Sequence, residues 1–221
     1  VATLAVRPLA PRDIPLLGRV YQRVEPLDIQ GDDPVVPDLS RRIVAAAIRR
    51  AGQERMFVAS VDGELCALLS ARPHERSFRW DLTAVTAGSP RLDATDDVCI
   101  ELWTAMAEYA IRRAGEAGIK RLFAATHEDG PAHESLRLVG FDGYARHILI
   151  RGRVESALMA LPPGMRPQEE SDVWSIHQLY HRTTPRAVQF AEALTSTAWE
   201  LQRSKRWNPP MFHRPDVAAF V

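Results

Sequence analysis

Cysteine is scarce in this chain: the 221 residues hold two, Cys66 and Cys99, both in apolar contexts and neither at metal-ligand spacing. A cysteine-built metal motif is thereby excluded, and a reducing cytoplasm is the expected compartment. Long apolar runs are missing as well. Stretches such as ALMALPP are too short to cross a bilayer, and no basic start followed by an apolar segment marks a secretory signal. Charge of one sign is lacking, because 28 basic residues face 28 acidic ones. No overall field would gather nucleic acid or an anionic membrane. The short cluster Arg203, Lys205, Arg206 and Trp207 therefore reads as a solvated helix end. Neither a Walker loop nor a Gly-x-Ser-x-Gly elbow is found, and His133-Glu134 lacks the second histidine of a zinc-protease helix. Apolar residues make up 46% of the chain, enough for an ordinary globular core.

A repeat is present instead. RPLAPRDIPLLGRVYQRVEP, from Arg7 to Pro26, aligns without a gap on RPQEESDVWSIHQLYHRTTP, from Arg166 to Pro185. The identical pairs are Arg7/Arg166, Pro8/Pro167, Asp13/Asp172, Tyr21/Tyr180, Arg23/Arg182 and Pro26/Pro185. Apolar residues exchange at Ile14/Val173, Leu17/Ile176 and Val20/Leu179. The offset of roughly 160 residues is too long for a solenoid unit and is the size of a domain. The organisation expected is a first domain over 1–152, a linker over 153–164, and the N-terminal part of a second, related domain over 165–221. That second copy is expected to run on past Val221.

Within the first domain, Leu4 to Leu9 reads as a strand, and Asp13 precedes an amphipathic run carrying Ile14, Leu17, Val20 and Tyr21. A loop rich in Asp and Pro spans Glu25 to Pro37, and a second helix runs from Asp38 or Ser40 to about Gly52. Met56 to Val61 and Leu65 to Ala71 flank Asp62-Gly63, a strong hairpin signal, and Phe78 to Val85 alternates as a half-buried strand does. A long helix from Asp96 to Ala117 carries an apolar stripe of Ile100, Trp103, Met106, Ala107, Ala110 and Ala114. Lys120 to Thr126 is a strand, Pro131 to Val139 a short helix closed by Gly140, and Phe141 to Ile150 a last strand. Hairpins combined with one helical crossover imply a mixed α/β fold, its sheet covered by helices.

This order, and three segments in it, resemble the GNAT superfamily of acyl-CoA N-acyltransferases. RPLAPRDIPLL is similar to the family's opening strand and helix, and EYAIRRAGEAGIKRLFAAT to its central helix and following strand. DGPAHESLRLVGFDGYARHI is similar to the segment that leads through a turn to Gly-Phe. The resemblance covers Leu4 to about Gly152. It implies a mostly antiparallel mixed sheet, a tandem arrangement, and acyl transfer from acetyl-CoA or another acyl-CoA to a small-molecule or peptide amine. Nucleic acid and membrane are not expected partners, and self-association as a homodimer is left open.

Family position assigns Val85, Ala87, Thr95, Val98 and Asp129 to the cofactor. The chain departs from the family where its glycine-rich loop falls, on Ala94 to Cys99. No glycine stands there, and Asp96 and Asp97 put carboxylates where phosphates would lie. At about 4 Å, like charges repel by roughly 1 kcal/mol even in water. These aspartates are expected to cap the helix's own N–H groups, and the first cofactor loop reads as degenerate. The family's general-acid tyrosine is matched by Leu136, which carries no proton. Asp81 and His127 are the catalytic candidates, as a strand carboxylate and a loop imidazole able to take an amine's proton. For Asp81 the competing structural role is a pairing with Arg79. In the second segment, Met165 to Pro167 is expected as a strand, Asp172 to open a helix, Thr184-Pro185 to cap another, and Thr197 with Glu200 to form a capping box. The functions left standing are an N-acyltransferase with a degenerate first domain, and a non-catalytic interaction, dimerisation or ligand-sensing module of the same fold.

Overall fold

A computed structural model of the chain describes residues 3–20, 22–27, 54–74, 78–89, 93–148 and 164–200. Two units emerge, Val1–Asp142 and Gly143–Val221. In the first, β1 (Leu4–Pro8), β2 (Arg23–Pro26), β3 (Arg55–Val61), β4 (Glu64–His74) and β5 (Arg79–Ala87) form one sheet in the order β1-β3-β4-β5-β2. These pairings are antiparallel, and β6 (Arg121–Phe123) joins β5 in parallel. The sheet is therefore mixed and mostly antiparallel, as the sequence order implies.

Local chemistry explains the elements. Asp62 and Gly63 turn β3 into β4 with φ of 50° and 82°, the type I′ geometry whose twist suits a two-residue hairpin. Strand β5 alternates until a bulge opposite Ser70/Ala71. On one sheet face lie Phe57, Ala59, Leu69, Trp80, Leu82 and Val85, covered by the helices α1 (Asp96–Glu116) and α2 (Pro131–Leu138). Helix α1 buries Cys99, Leu102, Trp103, Met106, Ala107, Ala110 and Ala114, so the predicted stripe is met except that Ile100 is only partly covered. Each large apolar side chain taken fully from water contributes about 1.5–3 kcal/mol. The other face packs Met56, Val58, Leu68 and Ala84 against Leu17 and Val20.

Several expectations are revised. The amphipathic run after β1 is a 3-10 helix, Pro11–Arg19, rather than an α-helix. Pro15 inside it has no N–H to donate to an i→i−4 ladder, and its ring crowds the preceding turn. Residues 23–26, expected as chain entering a loop, form β2. The strand after α1 is cut to three residues, because β2 takes the edge of β5 beyond it. Residues 141–148 are not a strand: the Phe141 N–H donates to the Leu136 carbonyl, and Ile148 is 83% exposed. Alternation alone makes no strand without an edge to pair with. The helix expected over 38–52 and the segments beyond 200 lie outside the described residues.

The second unit repeats the opening corner of the first. In unit one, Arg7 donates from Nη1 and Nη2 to the two carboxylate oxygens of Asp13, at 2.6 and 2.7 Å, and Oδ2 also accepts the Ala10 N–H at 2.7 Å. In unit two, Arg166 grips Asp172 with both bonds at 2.7 Å, and the Glu169 N–H reaches Oδ2 at 2.8 Å. Nη1 also bonds the next carbonyl in each, that of Pro8 and that of Pro167. Repeated residues thus make repeated bonds, atom for atom. A 3-10 turn, Glu170–Asp172, leads into α3 (Val173–Thr183), and Thr184-Pro185 into α4 (Arg186–Glu192). The expected capping box at Thr197 and Glu200 is replaced by a short 3-10 turn, Ser196–Trp199, whose N-cap is Thr195.

Candidate functional site

Parallel strands whose carboxyl ends diverge leave a crevice, and in open α/β sheets such crevices hold ligands. Here β5 and β6 pair only at Arg79↔Arg121, Trp80↔Leu122 and Asp81↔Phe123. Beyond that point another piece of the chain lies between them. The Leu27 N–H donates to the Thr83 carbonyl on one side at 3.0 Å, and the Leu27 carbonyl accepts from the Ala125 N–H on the other at 2.9 Å. Upstream, β2 continues along β5 with Pro26↔Ala84, Glu25↔Val85, Val24↔Thr86 and Arg23↔Ala87. The segment from Gln22 to Leu27 is a strap seated in the split.

Its side chains fit the place. Leu27 is 3% exposed and packs in one core cluster with Val85, Trp103, Ala132 and Leu136. The void left among these residues is about 10 Å³, at the lower limit for a single water. At the other end, Arg23 donates to Asp96 in the first turn of α1, lies 3.7 Å from Glu25, and sits over the Trp103 ring at 5.9 Å. The Asp96 bond raises the guanidinium pKa above its ordinary value. The Trp103 indole N–H donates to the Thr86 carbonyl, tying α1 to β5 beside the strap. Gly88 makes the close approach sterically tolerable. A Cβ there would meet the Gln22 backbone nitrogen at 2.9 Å and its Cβ at 3.0 Å, and the Gln22 amide donates to the Ser89 carbonyl.

The residues assigned to the cofactor by family position fall around this split. Val85 and Ala87 are buried, and their backbone is paired on both sides, to Leu69 and Ala67 of β4 and to Glu25 and Arg23 of β2. Thr95 is the N-cap of α1 and makes no side-chain capping bond. Asp96, expected to cap the helix, stands one residue past the N-cap Thr95 and binds Arg23 instead. Val98 is half-buried and Asp129 exposed. With carboxylates at the helix terminus and the strap in the split, these residues do not fit an acyl-CoA.

The catalytic candidates stand apart from one another. Asp81 faces His74 at 2.7 Å and Arg79 at 3.0 Å, so the pairing with Arg79 is present and a histidine is added. His127 is exposed in the loop before α2, where its carbonyl accepts the Gly130 N–H. Leu136 is buried beside Leu27. Sequence reasoning missed Leu27, Gly88 and the role of Arg23. The identity of Arg23 with Arg182 flagged the residue, but its partner Asp96 lies too far along the chain for any local pattern to join them. Among the described residues, no group of His, Cys, Asp and Glu could hold a metal.

No protein-family model matches the chain, and no curated protein matches it. Solved structures do. The aminoglycoside N-acetyltransferase AAC(6')-Iy, in complex with a bisubstrate analogue, is 17% identical, with a TM-score of 0.45 over 69% of this chain and 99% of that one. The ribosomal-protein-S18-alanine N-acetyltransferase from Escherichia coli is 15% identical, with a TM-score of 0.46 over 63% of this chain and 78% of that one. An acetyltransferase of the GNAT family from Streptococcus pneumoniae is 20% identical, with a TM-score of 0.41 over 62% and 84%. These are likenesses of fold at a distance, and they assign no role to any residue of this chain.

Proposed function

We propose that the protein is an N-acyltransferase of the GNAT type, moving an acetyl or similar acyl group from acyl-CoA to a small-molecule or peptide amine. Its first unit, in this reading, is a scaffold that holds no cofactor, and the Arg166–Asp172 corner opens a second unit of the same kind. The observation that carries the reaction class is the split: a mixed sheet whose parallel pair, β5 and β6, parts beside the N-terminus of α1. Of the three sequence segments resembling the family, the second falls on the C-terminal half of α1 and on β6, and the third opens on α2. A second reading, a non-catalytic module of the same fold, is favoured by the strap in that split and by the absence of a proton-bearing side chain at Leu136.

Thiol release separates the two. Incubated with acetyl-CoA, the protein is expected to liberate the CoA thiol only when a primary amine is supplied, across a panel of small amines and of peptides with free N-terminal or lysine amines. Absence of amine-dependent release with every member of the panel would remove the transferase reading and leave the module.

A further inference from the structure

We infer that the split of the first unit is self-occupied, and that Asp96, which bars an anion from the helix terminus, is also the anchor that keeps the strap in place. This rests on the reading above only in taking the split as the ligand crevice of the fold. Two closures are combined in few residues. The steric one is the strap: backbone bonds from Leu27 to both Thr83 and Ala125, a ladder along Ala84 to Ala87, and a buried Leu27 side chain. The electrostatic one is the carboxylate pair of Asp96 and Asp97 at the first turn of α1. Arg23 links the two. Its guanidinium neutralises Asp96 while the strap is seated, so lifting the strap separates that ion pair and bares a second negative charge at the place an incoming pyrophosphate would approach. Unseating the strap therefore does not open the site to an anion; it strengthens the repulsion. Glu25, 3.7 Å from Arg23, stands on the strap itself and leaves with it, so the charge bared at the helix terminus is that of Asp96.

The test compares four proteins by calorimetric titration with acetyl-CoA and by amide hydrogen exchange over residues 23–27 and 83–87. They are the wild type, Arg23→Ala, Arg23→Ala/Asp96→Ala/Asp97→Ala, and that triple variant with Pro26→Cys/Ala84→Cys. Because the Leu27 N–H reaches Thr83, Pro26 and Ala84 are a non-hydrogen-bonded pair with their side chains close, which suits a disulfide lock. In the wild type, strap amides are expected to be protected whether or not acetyl-CoA is present. Arg23→Ala should lose that protection without gaining affinity. The triple variant should lose protection and gain an acetyl-CoA site, about tenfold or more tighter than anything the wild type shows. Oxidising the lock should abolish the gained site and reduction should restore it.

The inference is overturned if acetyl-CoA strips protection from the wild-type strap. It is overturned equally if the unprotected triple variant binds no better, or if the lock changes nothing. Arg23→Ala that keeps its strap protection refutes the anchor. Gly88→Val, which dislodges the strap by collision with Gln22 while Asp96 and Asp97 remain, should likewise gain no acetyl-CoA affinity, and a gain there would refute the electrostatic closure. Failure of the acyl-transfer reading is seen separately, as absence of amine-dependent thiol release by the wild type.

Discussion

Asp13 is 2% exposed and would be costly to bury as a bare charge. The two bonds from Arg7, with the Ala10 N–H, hold its carboxyl below the usual carboxylate range. Because the folded value lies below the unfolded one, this stabilisation is complete above about pH 4 and is lost as pH falls through the folded value. Asp13→Asn should therefore flatten the acid limb of a urea-denaturation series taken from pH 7 to pH 2. Arg7→Ala, which strands the carboxylate, should cost about 2 kcal/mol at neutral pH. That is below the value for a fully buried pair, because Arg7 keeps a third of its side chain in water. The cysteines offer another residue-scale check. Burial pushes the Cys66 thiol up to about 11 and raises that of Cys99, with the nearby Arg23 opposing the second shift. Neither should react with a chromogenic disulfide at pH 8 until denaturant unfolds the chain, and a fast pre-unfolding phase would contradict the burial.

Among elements, the strap decides most and was least legible. The β3–β4 hairpin was readable because Asp-Gly dictates its own turn, and α1 because a long 3.6-residue period admits few alternatives. Residues 23–27 carry no such signature. Four strand residues ending in proline have no compelling propensity, and they are extended because β5 offers an edge and Leu27 a cavity to fill. Leu27→Ala should accordingly cost about 2–4 kcal/mol in chemical denaturation, the range for a core leucine whose neighbours relax only partly. A cost below about 1 kcal/mol would mean the split collapses readily and the strap is loosely held. The same competition explains why the strand after α1 ends at Phe123. The helix before β2 is 3-10 for a reason plain in the sequence, Pro15, which outweighs the amphipathic spacing around it.

On the scale of the whole molecule, balanced charge sets what the protein ignores. With no net charge at pH 7, it should pass through a heparin column at about 0.15 M salt, where Debye screening leaves only local clusters to act. Retention there would revive the basic cluster near Trp207 as a nucleic-acid surface. The duplicated corner is the other whole-chain property, and both copies form it. The sequence by itself determined that corner, the hairpin, the long helix and the acidic helix terminus, since each rests on neighbours in the chain or on side-chain chemistry that no packing alters. Only the tertiary structure decided that Arg23 meets Asp96, that Asp81 meets His74, and that Leu27 fills the parting of β5 and β6. The first and last of these join segments tens of residues apart, and the second joins two adjacent strands across their turn; in each, local preference is silent and the outcome is set by which edge is open and which space is empty.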